Sequence, residues 1–170
     1  MLSLKHDKSG AIICDSHISY AIERGNSFFI SLTTNDLKNN PLVLTFTAPS
    51  GDTTMHLSAT MEAAGEAYSL SVVDPLSITG GNSIVPVNRN QTVPRTSCAT
   101  DIKSGATVVG GTTVNSSYFG LGKRAVGGVE SFNKWILGGG RTYAITLTSD
   151  VVVSATIQVD WIECPCEEEC

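Results

Sequence analysis

The chain has 170 residues and a formal net charge of −5, from 11 basic and 16 acidic residues. Three of the acids are the run Glu167–Glu169, which leaves about −2 on the remainder and no clustered basic face of the kind a nucleic-acid binder shows. Charged residues make up 16%, against roughly 25% in an average soluble domain. Ser, Thr, Gly and Asn fill the difference, which suits strands and polar loops rather than a helical bundle, a coiled coil or a disordered tail. No apolar run approaches the roughly 18 residues of a membrane span, and no apolar segment follows the charged start as in a secretory signal. The expectation is a soluble protein that works in the cytoplasm or leaves the cell by another route, such as lysis.

Residues 1–10 read as an arm. Strand alternation then dominates. Phe28, Ile30 and Leu32 form one apolar set, and Leu42, Leu44 and Phe46 a second. Met55, Leu57, Ala59 and Met61 alternate with Thr54, His56, Ser58 and Thr60. Tyr68, Leu70 and Val72 alternate with Ser69 and Ser71. The one helix-like stretch, Met61–Ala67, is interrupted by Gly65. From Asp74 to Leu121 the composition changes to Pro, paired Gly, Asn and Thr with short apolar pieces, which predicts a long loop-rich excursion. Tyr143, Ile145 and Leu147 then face one way. After Ser149-Asp150, a tight hairpin turn, Val151, Val153, Ala155, Ile157, Val159 and Trp161 return. The resulting fold class is all-β: an antiparallel β-sandwich, jelly-roll-like, spanning residues 11–163, with the excursion at 74–121, an N-terminal arm and a Cys-rich acidic tail at 164–170.

The five cysteines are Cys14, Cys98, Cys164, Cys166 and Cys170. An odd number leaves at least one thiol free or bonded between chains. The cluster Cys164-Pro165-Cys166-Glu167-Glu168-Glu169-Cys170 lacks the paired knuckles and nearby His of a zinc site, so disulfide bonding is the better reading and no metal is expected. Cys14 and Cys98 divide evenly between bonding and burial as small hydrophobes.

Catalytic patterns are missing. His6, His17 and His56 lie near no nucleophile motif. Gly120-Leu121-Gly122-Lys123-Arg124-Ala125 matches a dinucleotide fingerprint in letters, but Val126-Gly127-Gly128 stands where its helix would begin. The sequons at Asn90 and Asn115 read as chance. Asp150, Asp160 and Glu163 default to solvated carboxylates. Among Trp135, Trp161, Tyr118 and Tyr143, the alternation places Trp161 and Tyr143 in the core rather than on a sugar-stacking platform. The expectation is a non-enzyme with no cofactor.

The order Ile84-Val85-Pro86-Val87-Asn88-Arg89-Asn90, a Gly/Thr-rich stretch, Gly140-Arg141-Thr142-Tyr143-Ala144-Ile145-Thr146-Leu147-Thr148 and a last strand ending in Trp161 resembles small capsid decoration (head-stabilising) proteins of tailed bacteriophages. The resemblance implies a β-sandwich without catalysis that assembles on the capsid surface of the virion, commonly as a homotrimer. Its partners would be copies of itself and the major capsid protein, with no nucleic acid or membrane. Under that reading Asn88, Arg89 and Asn90 are assembly-contact candidates, with Arg89 as a donor fork; the alternative, that Arg89 pins its own loop, weighs equally. Cys164, Cys166 and Cys170, with Cys14 and Cys98, are candidates for inter-subunit disulfides formed after release by lysis. A second function of a different class is a glycan- or receptor-binding sandwich of a phage neck, tail or fibre.

Overall fold

The computed structural model describes residues 5–6, 12–13, 17–92, 95–119 and 128–165, with side chains described over 18–92, 95–118 and 135–164. A small strand pair, β1 (Lys5–His6) and β2 (Ile12–Ile13), precedes helix α1 (His17–Glu23). Strands follow in the order β3 (Ser27–Thr34), β4 (Leu42–Thr47), β5 (Thr53–Ala63), β6 (Ala67–Val73) and β7 (Ser77–Ser83). They continue as β8 (Val87–Asn88), β9 (Thr100–Val109), β10 (Thr112–Phe119), β11 (Gly128–Leu137), β12 (Thr142–Thr148) and β13 (Ala155–Pro165).

Two antiparallel sheets pack face to face. One has six strands in the order β10-β6-β12-β4-β9-β7, the other five in the order β11-β5-β13-β3-β8. The alternating sets at 28–32, 42–46, 55–61, 143–147 and 155–161 supply the facing inner sides, and their large members are buried in one cluster. Phe28 stacks on Trp161 at 5.7 Å between ring centroids and Phe46 on Tyr143 at 5.6 Å, which seats both predicted core aromatics. Burying this apolar surface, at roughly 25 cal/mol per Å², is the main force holding the two layers together.

Four expectations change. First, β12 and β13 are not a hairpin: β12 lies in the six-stranded sheet and β13 in the five-stranded one. The connection 149–154 crosses between layers, because two strands that both need a buried face can also satisfy it from opposite sides of one core. It is tied by Leu37 N–H to Val153 O at 3.0 Å and Ala64 N–H to Ser154 O at 2.9 Å. Second, β6 has the opposite phase. Ile145 pairs with Ser71 and Leu147 with Ser69, so both serines face the core and are buried, while Tyr68 and Leu70 turn outward. Third, the helix His17–Glu23 was not foreseen from a pattern with almost no helical period.

Fourth, the stretch 74–121 is mostly strand. Val73 pairs with Thr112 and Ser77 with Val109, so β6–β7 and β9–β10 are the two legs of one long ribbon. It bends at Asp74–Leu76 and Gly110–Gly111. Gly111 has φ +105°, and a Cβ there would sit 3.1 Å from Pro75 Cα and from Val73 O, so only glycine allows the two legs to approach this closely. Asp74, at φ +49°, donates its N–H to Thr142 O at 2.8 Å and holds Arg141 through its carboxylate, at 2.6 Å from Nη2. Beyond the bend, β9 rejoins the sheet on β4 through Leu44 and Ser104. The cross-strand row between departure and return, Val72–Ala144–Thr45, is buried although it faces away from the main core. Composition alone suggested a loop because Gly and Asn mark turns; here they mark a bend within a ribbon whose backbone groups are paired.

Candidate functional site

The segment Asn88–Asn90 sits at the edge of the five-stranded sheet, where Val87 pairs with Phe29 and Asn88 with Phe28. Asn88 is buried and donates from Nδ2 to Gly25 O at 2.8 Å and to Arg95 O at 3.1 Å, while its Oδ1 accepts the Asn90 N–H at 2.8 Å. Asn90 donates to Glu23 O at 2.9 Å and accepts from the Thr92 hydroxyl at 2.7 Å. The Arg89 guanidinium lies 4.8 Å from the Phe29 ring centroid and pairs with Asp160 on β13. All three side chains are therefore engaged within their own chain. This is the arrangement in which Arg89 pins its own loop, and the two amides tie that loop to the end of α1.

The main polar centre is one that sequence reasoning left as a solvated acid. Glu163 is 5% exposed. Its carboxylate accepts N–H bonds from Cys98 at 2.8 Å (Oε2) and 3.0 Å (Oε1), from Ala99 at 3.4 Å and from Trp161 Nε1 at 3.1 Å, together with the Ser97 hydroxyl. It fastens the loop before β9 to the last strand. The two-residue period of β13 places it beside Trp161 on the inner side. Asp160, three residues earlier, is on the outer side with Arg89 and Gln158. Asp160 and Glu163 thus point to opposite faces and cannot act as an acid pair on one bond.

Of the five predicted disulfide candidates, two have described side chains. Cys98 is an exposed free thiol rather than a buried hydrophobe. Partial burial, then the charge of Glu163, holds its pKa above that of an ordinary thiol. Cys164 is buried and disulfide-bonded. Cys14, Cys166 and Cys170 lie outside the described residues, as does the glycine-rich loop 120–127. Among the described residues, no group of three or more His, Cys, Asp or Glu side chains is placed to hold a metal ion.

Concave sites are shallow in chemistry. An open groove of about 760 Å³ between the β3–β4 connection and Ser104-Gly105 is lined without a single titratable side chain. A smaller one, about 390 Å³, has Ile84, Ile102, Arg95, Asp101 and Lys103 among its lining residues.

The outer surface is more distinctive. Among the described residues, six of the ten exposed large hydrophobic side chains fall between Leu76 and Tyr118: Leu76, Val85, Val87, Val109, Val114 and Tyr118. Leu76, at the ribbon bend, is 83% exposed, and Tyr118 is 69% exposed while its ring meets Tyr68 at 4.7 Å. The sequence carried a signal for this surface that its motifs did not reveal. No charged residue occurs from Pro75 to Asn88, or from Ser104 to Gly122.

No protein-family model matches the chain, and neither a curated protein nor a solved structure matches it.

Proposed function

We propose that the protein is a structural component of a tailed-phage virion that coats and stabilises the capsid surface by assembling with copies of itself and with the major capsid protein. The observation that carries the reading is the set of exposed apolar side chains on the β6–β7/β9–β10 ribbon, Leu76, Val109, Val114 and Tyr118, on a two-layer β-sandwich. Exposed apolar surface gathered on one feature marks an interaction site. The sequence resemblance supplies the capsid. Arg89, bound to Asp160, is withdrawn from the proposed contacts, and Asn88 and Asn90 with it. Cys98 keeps a free thiol for a cross-link between copies after lysis, and Cys14, Cys166 and Cys170 remain in that proposal. Antibodies raised against the recombinant chain, used to label particles of the phage that encodes it, test the assignment. Label over the head surface is the expected result, and label on tails only or on no particle overturns it.

A glycan-binding role is favoured by one feature, the outward Tyr118–Tyr68 pair beside Thr148, which aligns with Tyr68 across β12. Saturable binding to a glycan array that Tyr118→Ala abolishes is its test.

A further inference from the structure

We infer that the groove between β3, β4 and β9 is a binding site for a short neutral saccharide, separate from the Tyr118–Tyr68 pair. The groove arises where one ladder stops. β4 pairs with β9 at Thr45–Lys103 and Leu44–Ser104, and the pairing ends there. Gly105, at φ +68°, has no register partner on β4 or β7, and from Ala106, which pairs with Gly80, β9 runs with β7 instead. A Cβ at Gly105 would meet nothing within 4 Å, so the wall there is open. Leu42 and Val43 stay on β12 through Leu147 and Thr146. The end of β3 and its connection to β4 line the rest. The resulting volume, about 760 Å³, falls within the roughly 300–1,000 Å³ of small-molecule sites.

The connection is fixed in place before any ligand arrives. Asp36 donates its N–H to Thr34 Oγ1 at 3.1 Å, and its C=O accepts the Asn40 N–H at 2.9 Å. Its carboxylate accepts the Asn39 N–H at 3.2 Å and the Asn39 side-chain amide at 2.8 Å. Leu37, buried in the core, holds the same turn from below. A wall ordered in this way loses little entropy on binding. Among the described residues, the side chains of Thr33, Asn35, Asn40 and Ser104 have no hydrogen-bond partner, so two hydroxyls and two amides of the lining are available to a ligand.

The lining decides the ligand class. It holds no titratable side chain, so an ionised ligand would leave water without a counter-charge. Hydroxyl and amide side chains both donate and accept, as sugar hydroxyls do. Leu32, Pro41 and Val43 supply apolar surface for the C–H face of a pyranose ring. An extended peptide fits less well, because strand addition needs a run of open backbone groups. Ala48 N–H donates to Arg141 O, so alternate residues of β4 face β12, and beyond the last β9 pair Val43 is the residue that turns its N–H to the groove. Pro41, next in that phase, has no N–H to offer. The inference does not rest on the capsid reading: that one fails by the label on particles, this one by affinity in solution.

The test is ligand-observed NMR and titration calorimetry on the full chain. The probes are neutral trisaccharides of hexose and N-acetylhexosamine units, their sialylated and sulfated counterparts, and an uncharged hexapeptide of glycine, serine and threonine. Saturable binding of at least one neutral trisaccharide is expected, with weaker binding of its charged counterparts and of the peptide. Asn35→Ala/Asn40→Ala is expected to weaken that binding about tenfold or more. Thr33→Arg, which places a long charged side chain at the groove, is expected to abolish it, and Tyr118→Ala to leave it unchanged. Thr33, Asn35 and Asn40 are exposed, so the melting temperatures of these variants should match the wild type. No saturable binding across the panel, a charged sugar or the peptide binding as tightly as the neutral sugars, binding kept in both groove variants, or binding lost with Tyr118→Ala would each overturn the inference.

Discussion

The Glu163 carboxylate accepts the Cys98 backbone N–H at 2.8 Å, joining the last strand to a loop 65 residues earlier in the chain. The same carboxylate also serves Ala99, Ser97 and the Trp161 indole, so it satisfies donors that would otherwise be buried or half-buried without acceptors.

Glu163→Ala is therefore expected to cost about 2–4 kcal/mol, because it strands several donors at once. Glu163→Gln retains one accepting oxygen and should cost about half as much. Urea denaturation of both variants checks the order. Equal stabilities for Ala and Gln would show that the hydrogen bonds contribute nothing beyond packing.

Cys98 should react slowly for an exposed thiol. Partial burial and the Glu163 charge both disfavour its thiolate, so the neutral form persists to higher pH than in a free cysteine. The rate of alkylation of Cys98 is expected to rise with pH along a curve displaced upward from that of glutathione. Removing the charge with Glu163→Gln should bring the curve part of the way down, since burial is the larger cause. A midpoint below that of glutathione would contradict the geometry.

Arg89→Ala should weaken the fold and leave assembly alone. The side chain is partly exposed, and it stacks on Phe29 while pairing with Asp160. The loss is expected to be about 0.5–1.5 kcal/mol, summed over the two contacts. Oligomer mass should match the wild type. A monomer with an unchanged melting temperature would return Arg89 to the interface between copies.

The phase of β6 can be tested by a pair of substitutions. Ser71 is 2% exposed and its hydroxyl has no hydrogen-bond partner. Ser71→Ala removes an unsatisfied buried group and is expected to raise stability by about 0.5–1.5 kcal/mol. Leu70→Ala, on the outward side, should cost less than Leu147→Ala, which empties a fully buried site and should cost about 2.5–5 kcal/mol. A larger loss at Leu70 than at Leu147 would mean that the strand sits one residue out of the described register.

The alternation at 28–32, 42–46, 55–61, 143–147 and 155–161 determined which side of each strand is buried, because a period of two leaves only one apolar face to hide. It determined an all-β sandwich with Trp161 and Tyr143 inside. It failed at β6, where Tyr68-Leu70-Val72 are the more apolar set. There pairing with β12 decides the phase, and pairing partners are not written in a local pattern. It failed also between β12 and β13, since a short polar link fits a hairpin and a crossing between layers equally well. The runs without charge at 75–88 and 104–122 were present in the sequence, but only the tertiary structure placed β7 and β10, which lie within them, at opposite ends of one sheet. The carboxylate at position 163 reads as surface by residue type. Its burial follows from the donors that a distant loop brings to it, and long-range contacts of that kind exist only once the chain has folded.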